Sequence, residues 1–276
     1  MLDPGLNGRV ALVSGANQGI GAATARALAA QGVAVLLTYL RLDPREHAGE
    51  AYPAEYGQQR AATAEQVVRQ IRDDGGTAES TEADLADPAV IALLFDRAEA
   101  ALGPVEILVN NASGWLANTF VPAEQDRFGR RLRPVDAASH DLQFAVDARA
   151  PALLIAEFAR RHIRRDASWG RIIGLTSGGQ DGFPEEVSYG AAKAAQESYT
   201  MAAAQELGRY GVTANMIYPP VTDTGWVTPG RPAGRRRRQP PPAPGASRRS
   251  RRGDRPARLP SGPVRHRADR PHVLTA

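Results

Sequence analysis

Short apolar runs alternate with longer stretches of helical spacing along the first 220 residues. "RVALVSG" (9–15) is an apolar run that ends in glycine, as a buried strand does. "GIGAATARALAAQG" (19–32) is Ala-rich with helical spacing and stops at Gly32. "VAVLLTY" (33–39) predicts a second strand, and the polar, Pro-bearing residues 40–57 a loop. A helix is predicted near 59–73, a third strand in "TAESTEADL", a helix over 88–102 and a fourth strand in "VEILVNNAS". After an irregular stretch come a long helix near 138–164, a fifth strand in "GRIIGLTSG", a helix over about 187–209 and a sixth strand in "VTANMIYPP". Strands that alternate with helices of this length imply βαβ units, and so a parallel α/β sheet covered on both faces.

The pattern stops near Gly230. Residues 230–276 are dominated by Arg, Pro, Gly and Ala and show no apolar periodicity. Such a composition buries too little surface to offset chain entropy, so a disordered tail is expected beside a folded unit over 1–229. The tail holds 14 arginines against two acids, and the whole chain has a net charge of +4, so the folded part is acidic. A general nucleic-acid-binding surface is therefore not expected on it. The chain has no cysteine, which excludes disulfides, thiol nucleophiles and Cys-ligated metals, and no metal site is assigned. No apolar run approaches the ~20 residues needed to span a bilayer. With no signal-peptide pattern at the N-terminus, a cytoplasmic location without membrane contact is expected.

Candidate chemistry gathers where strands end. "SGANQGIG" (14–21) lies between a strand and a helix. Gly15, Gly19 and Gly21 suit a tight turn that lets a pyrophosphate approach a helix N-terminus. A plain Gly-rich turn is the alternative. At the end of the second strand stand Thr38, Tyr39, Leu40 and Arg41, with no acid to hold a ribose diol. Arg41 suits a ribose phosphate, which favours NADP(H) over NAD(H), unless it is simply a solvated loop residue. Asp84 follows the third strand, where it can meet an adenine edge, and "NNAS" (110–113) follows the fourth.

Lys193 is the only lysine in a chain with 34 basic residues. It lies four positions after Tyr189, so a helix puts both on one face. A free tyrosine has a pKa near ~10, too high for acid–base work at neutrality. A nearby ammonium is expected to lower it. Tyr189 then exchanges a proton with a carbonyl oxygen as hydride is transferred, and Ser177 steadies that oxygen. An amphipathic helix with a surface lysine is the plainer alternative.

Taken together, "SGANQGIG", "ADL" (83–85), "NNAS", Ser177, "YGAAK" and "YPPVTDT" resemble the short-chain dehydrogenase/reductase superfamily, particularly its 3-oxoacyl-carrier-protein reductase-like members. The resemblance covers about residues 7–228. It implies a Rossmann doubly wound sheet of about six strands, with the usual seventh missing, and a Ser–Tyr–Lys centre. It also implies an NAD(P)-dependent oxidoreductase acting on a carbonyl or secondary alcohol. By position, the cofactor would be held by Gly15, Asn17, Gly19, Ile20, Gly21, Tyr39, Arg41, Asp84, Leu85, Asn110 and Ala112. Lys193 would bond the nicotinamide ribose, and Pro219, Val221 and Thr224 would meet the nicotinamide end.

The chain departs from the family at several positions. Ser113 replaces a usual Gly, and Pro220 replaces a Gly and removes a backbone donor. Asp147 stands where most members carry an Asn that completes a proton relay, and its charge can pull on Lys193. Residues 41–57 and 114–137 are insertions. The second carries Trp115, Phe120 and Phe128, which either wall a substrate pocket or pin a loop to the core. The family's substrate lid and seventh strand give way to the Arg/Pro text. That text reads as an out-of-frame stretch starting near 228–234, or as a basic tail that binds RNA or another polyanion. A homo-oligomer built on the seventh strand is weakened by its loss. Three functions remain: a reductase, a cofactor-binding protein without turnover, and a polyanion binder through the tail.

Overall fold

The computed structural model describes residues 5–43, 54–126, 130–177, 182–220 and 222–225. The expectations for residues 230–276, Phe128 and Val221 lie outside the described residues. β1 (Val10–Ser14), β2 (Ala34–Tyr39), β3 (Ala78–Glu82), β4 (Ile107–Asn110), β7 (Gly170–Leu175) and β8 (Val212–Ile217) form one parallel sheet. Its order is β3-β2-β1-β4-β7-β8, the six-stranded doubly wound arrangement expected from the sequence. β5 (Asn118–Thr119) and β6 (Arg133–Pro134) make a separate parallel pair inside the 114–137 insertion.

Each central strand is buried on both sides because the sheet is covered on both sides. Along β1, Val10 and Leu12 join one core with Phe95, Leu108, Leu154, Phe158 and Ile172. Ala11 and Val13 face the other, with Ala25, Val35, Leu37, Val68 and Ile71. The first core is roofed by α4 (Val90–Ala101), α6 (Ala150–Arg164) and α7 (Val187–Leu207), the second by α1 (Gly19–Ala29) and α3 (Glu65–Asp73). Small residues on α1 (Gly21, Ala22, Ala25, Ala29) make up its buried face, which keeps that helix close to the sheet.

Two helices differ from expectation. The helix predicted near 59–73 is two helices, α2 (Ala54–Ala61) and α3, and α2 takes over the end of the predicted 40–57 loop. The long helix near 138–164 is α5 (Ala137–Phe144) and α6 joined by one π-helical turn, Ala145–Arg149. A capping box starts α5: the Asp136 carboxylate accepts from the Ser139 N–H at 2.8 Å, and the Ser139 hydroxyl accepts from the Asp136 N–H at 3.1 Å. Pro151, in the first turn of α6, explains the π turn. It has no N–H for the Asp147 carbonyl four residues back, so the ladder widens there. Ala150 N–H accordingly bonds the Ala145 carbonyl, five residues back. The widened turn lies where β4 hands over to the candidate site.

Candidate active site

The carboxyl ends of β1, β4 and β7 lie side by side, and the loops that leave them build the site. Gly15 and Gly19 have φ of +63° and +56°, conformations that L side chains rarely adopt. A Cβ on Gly15 would come 2.8 Å from Ala112 Cα, and one on Gly21 would come 2.2 Å from the Gly15 carbonyl oxygen. The glycine turn and the "NNAS" turn therefore touch through backbone. Two residues clamp them together. Ser14 Oγ accepts from the N–H groups of Asn111 (3.0 Å) and Ala112 (3.1 Å) and donates to the Val109 carbonyl (3.2 Å). Asn111 Nδ2 donates to the carbonyls of Ser14 (2.8 Å) and Gly15 (3.0 Å).

Gln18, which precedes α1, supplies no side-chain cap, and its Oε1 is buried without a partner among the described residues. The first N–H groups of α1 thus have no side-chain cap, at the end of the helix that favours an anion. Asn110 is 1% exposed, and neither atom of its amide has a partner among the described residues. A close-approach glycine cradle, an uncapped helix end and an orphaned buried amide along one cleft are what a dinucleotide would use. The residues present fit such a cofactor.

The other expected cofactor contacts are partly engaged within the protein. Asn17 Nδ2 donates to the carbonyls of Ala62 (3.0 Å) and Gln59 (3.4 Å), so it ties the turn to the last turn of α2 and the residue after it. Ile20 packs against the core. Tyr39 is buried, and its pKa is raised, by burial first and then by Glu82. Arg41, expected to await a phosphate, instead meets the carboxylate of Glu82 through Nε (2.9 Å) and Nη2 (2.8 Å). The Asp84 carboxylate is exposed and accepts from the Ala86 N–H at 2.9 Å, and Leu85 is core. Pro219 is half-buried. The Thr224 methyl lies 3.1 Å from where a Cβ would stand on Gly19, which brings the chain after β8 onto the glycine turn.

Ser177 leaves the end of β7 and lies close enough to act on the Tyr189 hydroxyl, near the start of α7. Phe183 meets the Tyr189 ring edge to face, with centroids 5.8 Å apart. Lys193 is one turn further along α7, with Nζ 5.8 Å from the Tyr189 ring centroid. Its closest partners are not the phenol. Nζ lies 3.0 Å from Asp147 Oδ1 and 3.0 Å from Gln196 Oε1. The expected lowering of the Tyr189 pKa is not found. Burial first, and then the Asp147 charge, push it up, and Ser177 only partly counters them. The sequence reading noted that the Asp147 charge can pull on Lys193, and the π turn places the two at ion-pair distance.

Two polar side chains and one backbone N–H in this network carried no role in the sequence reading. Gln143 is fully buried; its Nε2 donates to Asp147 Oδ2 (2.6 Å) and its Oε1 accepts from the Leu116 N–H (2.9 Å). The Gly114 N–H also donates to Asp147 Oδ2, at 2.8 Å. Gln196, also fully buried, donates to the Asn110 carbonyl at 3.1 Å, which links the lysine to the end of β4. Their signal was a spacing of three or four, Gln143 to Asp147 and Lys193 to Gln196.

The 114–137 insertion is fastened to the start of α7. Asn118 Nδ2 donates to Ser188 Oγ (2.7 Å) while its Oδ1 accepts from the Ser188 N–H (2.9 Å). Arg130 joins Asp126 to Glu186 and lies over the Trp115 ring. Trp115 therefore helps pin the loop, whereas Phe120 at its tip is 78% exposed.

The family described as short chain dehydrogenase matches residues 9–63 and 56–233. The chain belongs to that family. It is 32% identical over 223 residues to an uncharacterised oxidoreductase of Bacillus subtilis, covering 80% of this chain and 77% of that protein. It is 30% identical to a 3-oxoacyl-[acyl-carrier-protein] reductase of Synechocystis, covering 78% of this chain and 74% of the relative. A short chain dehydrogenase of Burkholderia cenocepacia, solved in complex with NADP, is 32% identical. It superposes with a TM-score of 0.63 over 79% of this chain and 76% of that one. Membership makes the protein an NAD(P)-dependent oxidoreductase of the short-chain dehydrogenase/reductase class. No helix among the described residues is long and apolar enough to cross a membrane.

Proposed function

We propose that the protein transfers a hydride between NADP(H) and a carbonyl compound or the matching secondary alcohol, with Tyr189 as the acid–base group. The observation that carries this is the gathering of three side chains beside the glycine cradle, Ser177 acting on the Tyr189 hydroxyl and Lys193 one helical turn away. Ser177 orients the substrate oxygen, and Tyr189 gives it a proton or removes one. Of the three ammonium protons of Lys193, two directions are taken by Asp147 and Gln196, which leaves a donor for a ribose hydroxyl. A bound NADP(H) supplies or accepts the hydride.

Arg41 supports the phosphorylated cofactor, since no acid ends β2 and its pair with Glu82 is exposed and easily exchanged. The NADP found in the Burkholderia relative agrees with that choice. The test is NADPH oxidation against a panel of carbonyl compounds. Turnover in the wild type and its loss in Tyr189→Phe, with NADPH binding retained, is the expected result. NADPH binding without turnover for any carbonyl would mark the chain as a cofactor-binding protein instead.

A further inference from the structure

Asp147 is fully buried; its Oδ2 is hydrogen-bonded, and its Oδ1 makes no hydrogen bond among the described residues but lies at ion-pair distance from Lys193. Oδ2 accepts from Gly114 N–H and Gln143 Nε2, and Oδ1 faces Lys193 at 3.0 Å. A carboxylate fixed in this way cannot swing out to water. Lys193 has this partner at ion-pair distance, whereas the Tyr189 ring centroid lies 5.8 Å away. The positive charge that would favour a tyrosinate is therefore largely cancelled where it stands.

The groups acting on Tyr189 come from four elements. They are Ser177 from the end of β7, Asp147 from the π turn, Tyr56 from α2, and Lys193 with Glu186 from α7 and the residue before it. Glu186 is itself paired with Arg130. Burial, Asp147, Glu186 and Tyr56 all oppose ionisation of the phenol, and Ser177 favours it.

Building on the hydride-transfer reading, we propose that Asp147 is a positioning residue that keeps Tyr189 in its proton-donating form and so moves the pH range of alcohol oxidation into alkali. Carbonyl reduction runs at neutral pH, and alcohol oxidation becomes fast only in alkali. In reduction the carbonyl carbon gains a hydride from NADPH, which is oxidised to NADP+. The C=O π pair then takes the Tyr189 proton to form the alcohol, and the tyrosinate recovers a proton from water. Oxidation needs the tyrosinate first, and a fixed negative charge beside the phenol disfavours it.

The cofactor-free protein provides the first test, the near-ultraviolet tyrosinate absorbance of wild type minus Tyr189→Phe. The Tyr189 step is expected above the pKa of about 10 of an ordinary tyrosine. In Asp147→Asn the step is expected at least about one unit lower. A wild-type step at or below pH ~10 overturns the proposal without any Asp147 variant, and so does an unmoved step in Asp147→Asn. The second measurement is the pH profile of kcat/KM for alcohol oxidation. Its rise should come at least about one unit lower in Asp147→Asn, and an unmoved profile overturns the claim for oxidation. Turnover absent in both directions, with the absorbance steps as expected, instead overturns the hydride-transfer reading and with it the claim for oxidation.

Discussion

Two buried cations sit on the same side of the sheet and are treated in opposite ways. Arg161, on α6, gives Nε to Glu157 (2.6 Å), Nη1 to Glu99 (2.6 Å) and Nη2 to Asp96 (2.7 Å) and the Ala92 carbonyl (3.3 Å). Every donating nitrogen has an acceptor, and all acceptors belong to α4 or α6. Burial opposes its charge, but the bonds to Asp96, Glu157 and Glu99 outweigh that and raise its pKa. Lys193 has one acid and one amide, and beside it the Asn110 amide has no partner among the described residues. The fork is used up in joining two helices, while the point charge keeps capacity in reserve. Buried polarity that is fully satisfied reads as architecture, and buried polarity that is not reads as a place for a ligand.

Substitutions at the two cations should separate these roles. The largest effect is expected at Lys193. Lys193→Met should reduce turnover about 10²–10⁴-fold, read from steady-state NADPH oxidation. It also leaves Asp147 buried without its counter-charge, so thermal or urea unfolding should show a loss of about 3–5 kcal/mol. Lys193→Met with Asp147→Asn should regain most of that stability and none of the turnover. If the double variant stays as unstable as the single one, the pair is not what holds this region.

Next in size is Arg161→Leu. Asp96 and Glu99 are partly exposed, so the expected loss is smaller, about 1–3 kcal/mol, with kcat/KM unchanged. A fall in kcat/KM beyond the loss of folded protein would erase the contrast between the two sites. The same variant sharpens a pH dependence. Hydrogen bonding from Arg160, against burial, and then from Arg161 holds the Glu157 carboxyl at about 2, below its ordinary 4.5. Its contribution to stability is therefore complete above about 4.5 and lost as pH falls to about 2. The gap in melting temperature between wild type and Arg161→Leu should narrow over that window. The smallest effect is expected at Arg41. Arg41→Ala should raise KM for NADPH several-fold, with KM for NADH nearly unchanged, and equal changes for both would remove Arg41 from cofactor choice.

The sheet was legible because parallel strands buried on both faces read as apolar runs, and "RVALVSG" or "VAVLLTY" admits little else. The glycine turn and the Tyr189–Lys193 spacing were legible for the same local reason: backbone freedom and helical periodicity are written in the residues themselves. The split between α2 and α3 was hidden, because Ala61 to Ala64 carry no breaker as strong as Gly or Pro. The π turn was half visible, since Pro151 announced a missing donor but not which carbonyl would be left over.

The sequence by itself determined the strands, most of the helices, the cradle and the Tyr189–Lys193 spacing, since each depends on neighbours within about one helical turn or on a single strand–turn–helix unit. Only the tertiary structure decided how Lys193 spends its charge. Asp147, Gln143, Gly114 and Gln196 come from separate segments, and electrostatic shifts depend on distances of 3 or 4 Å across them rather than on spacing along the chain. Arg41 shows the same limit, because its meeting with Glu82 follows from β2 pairing with β3 and not from anything near residue 41.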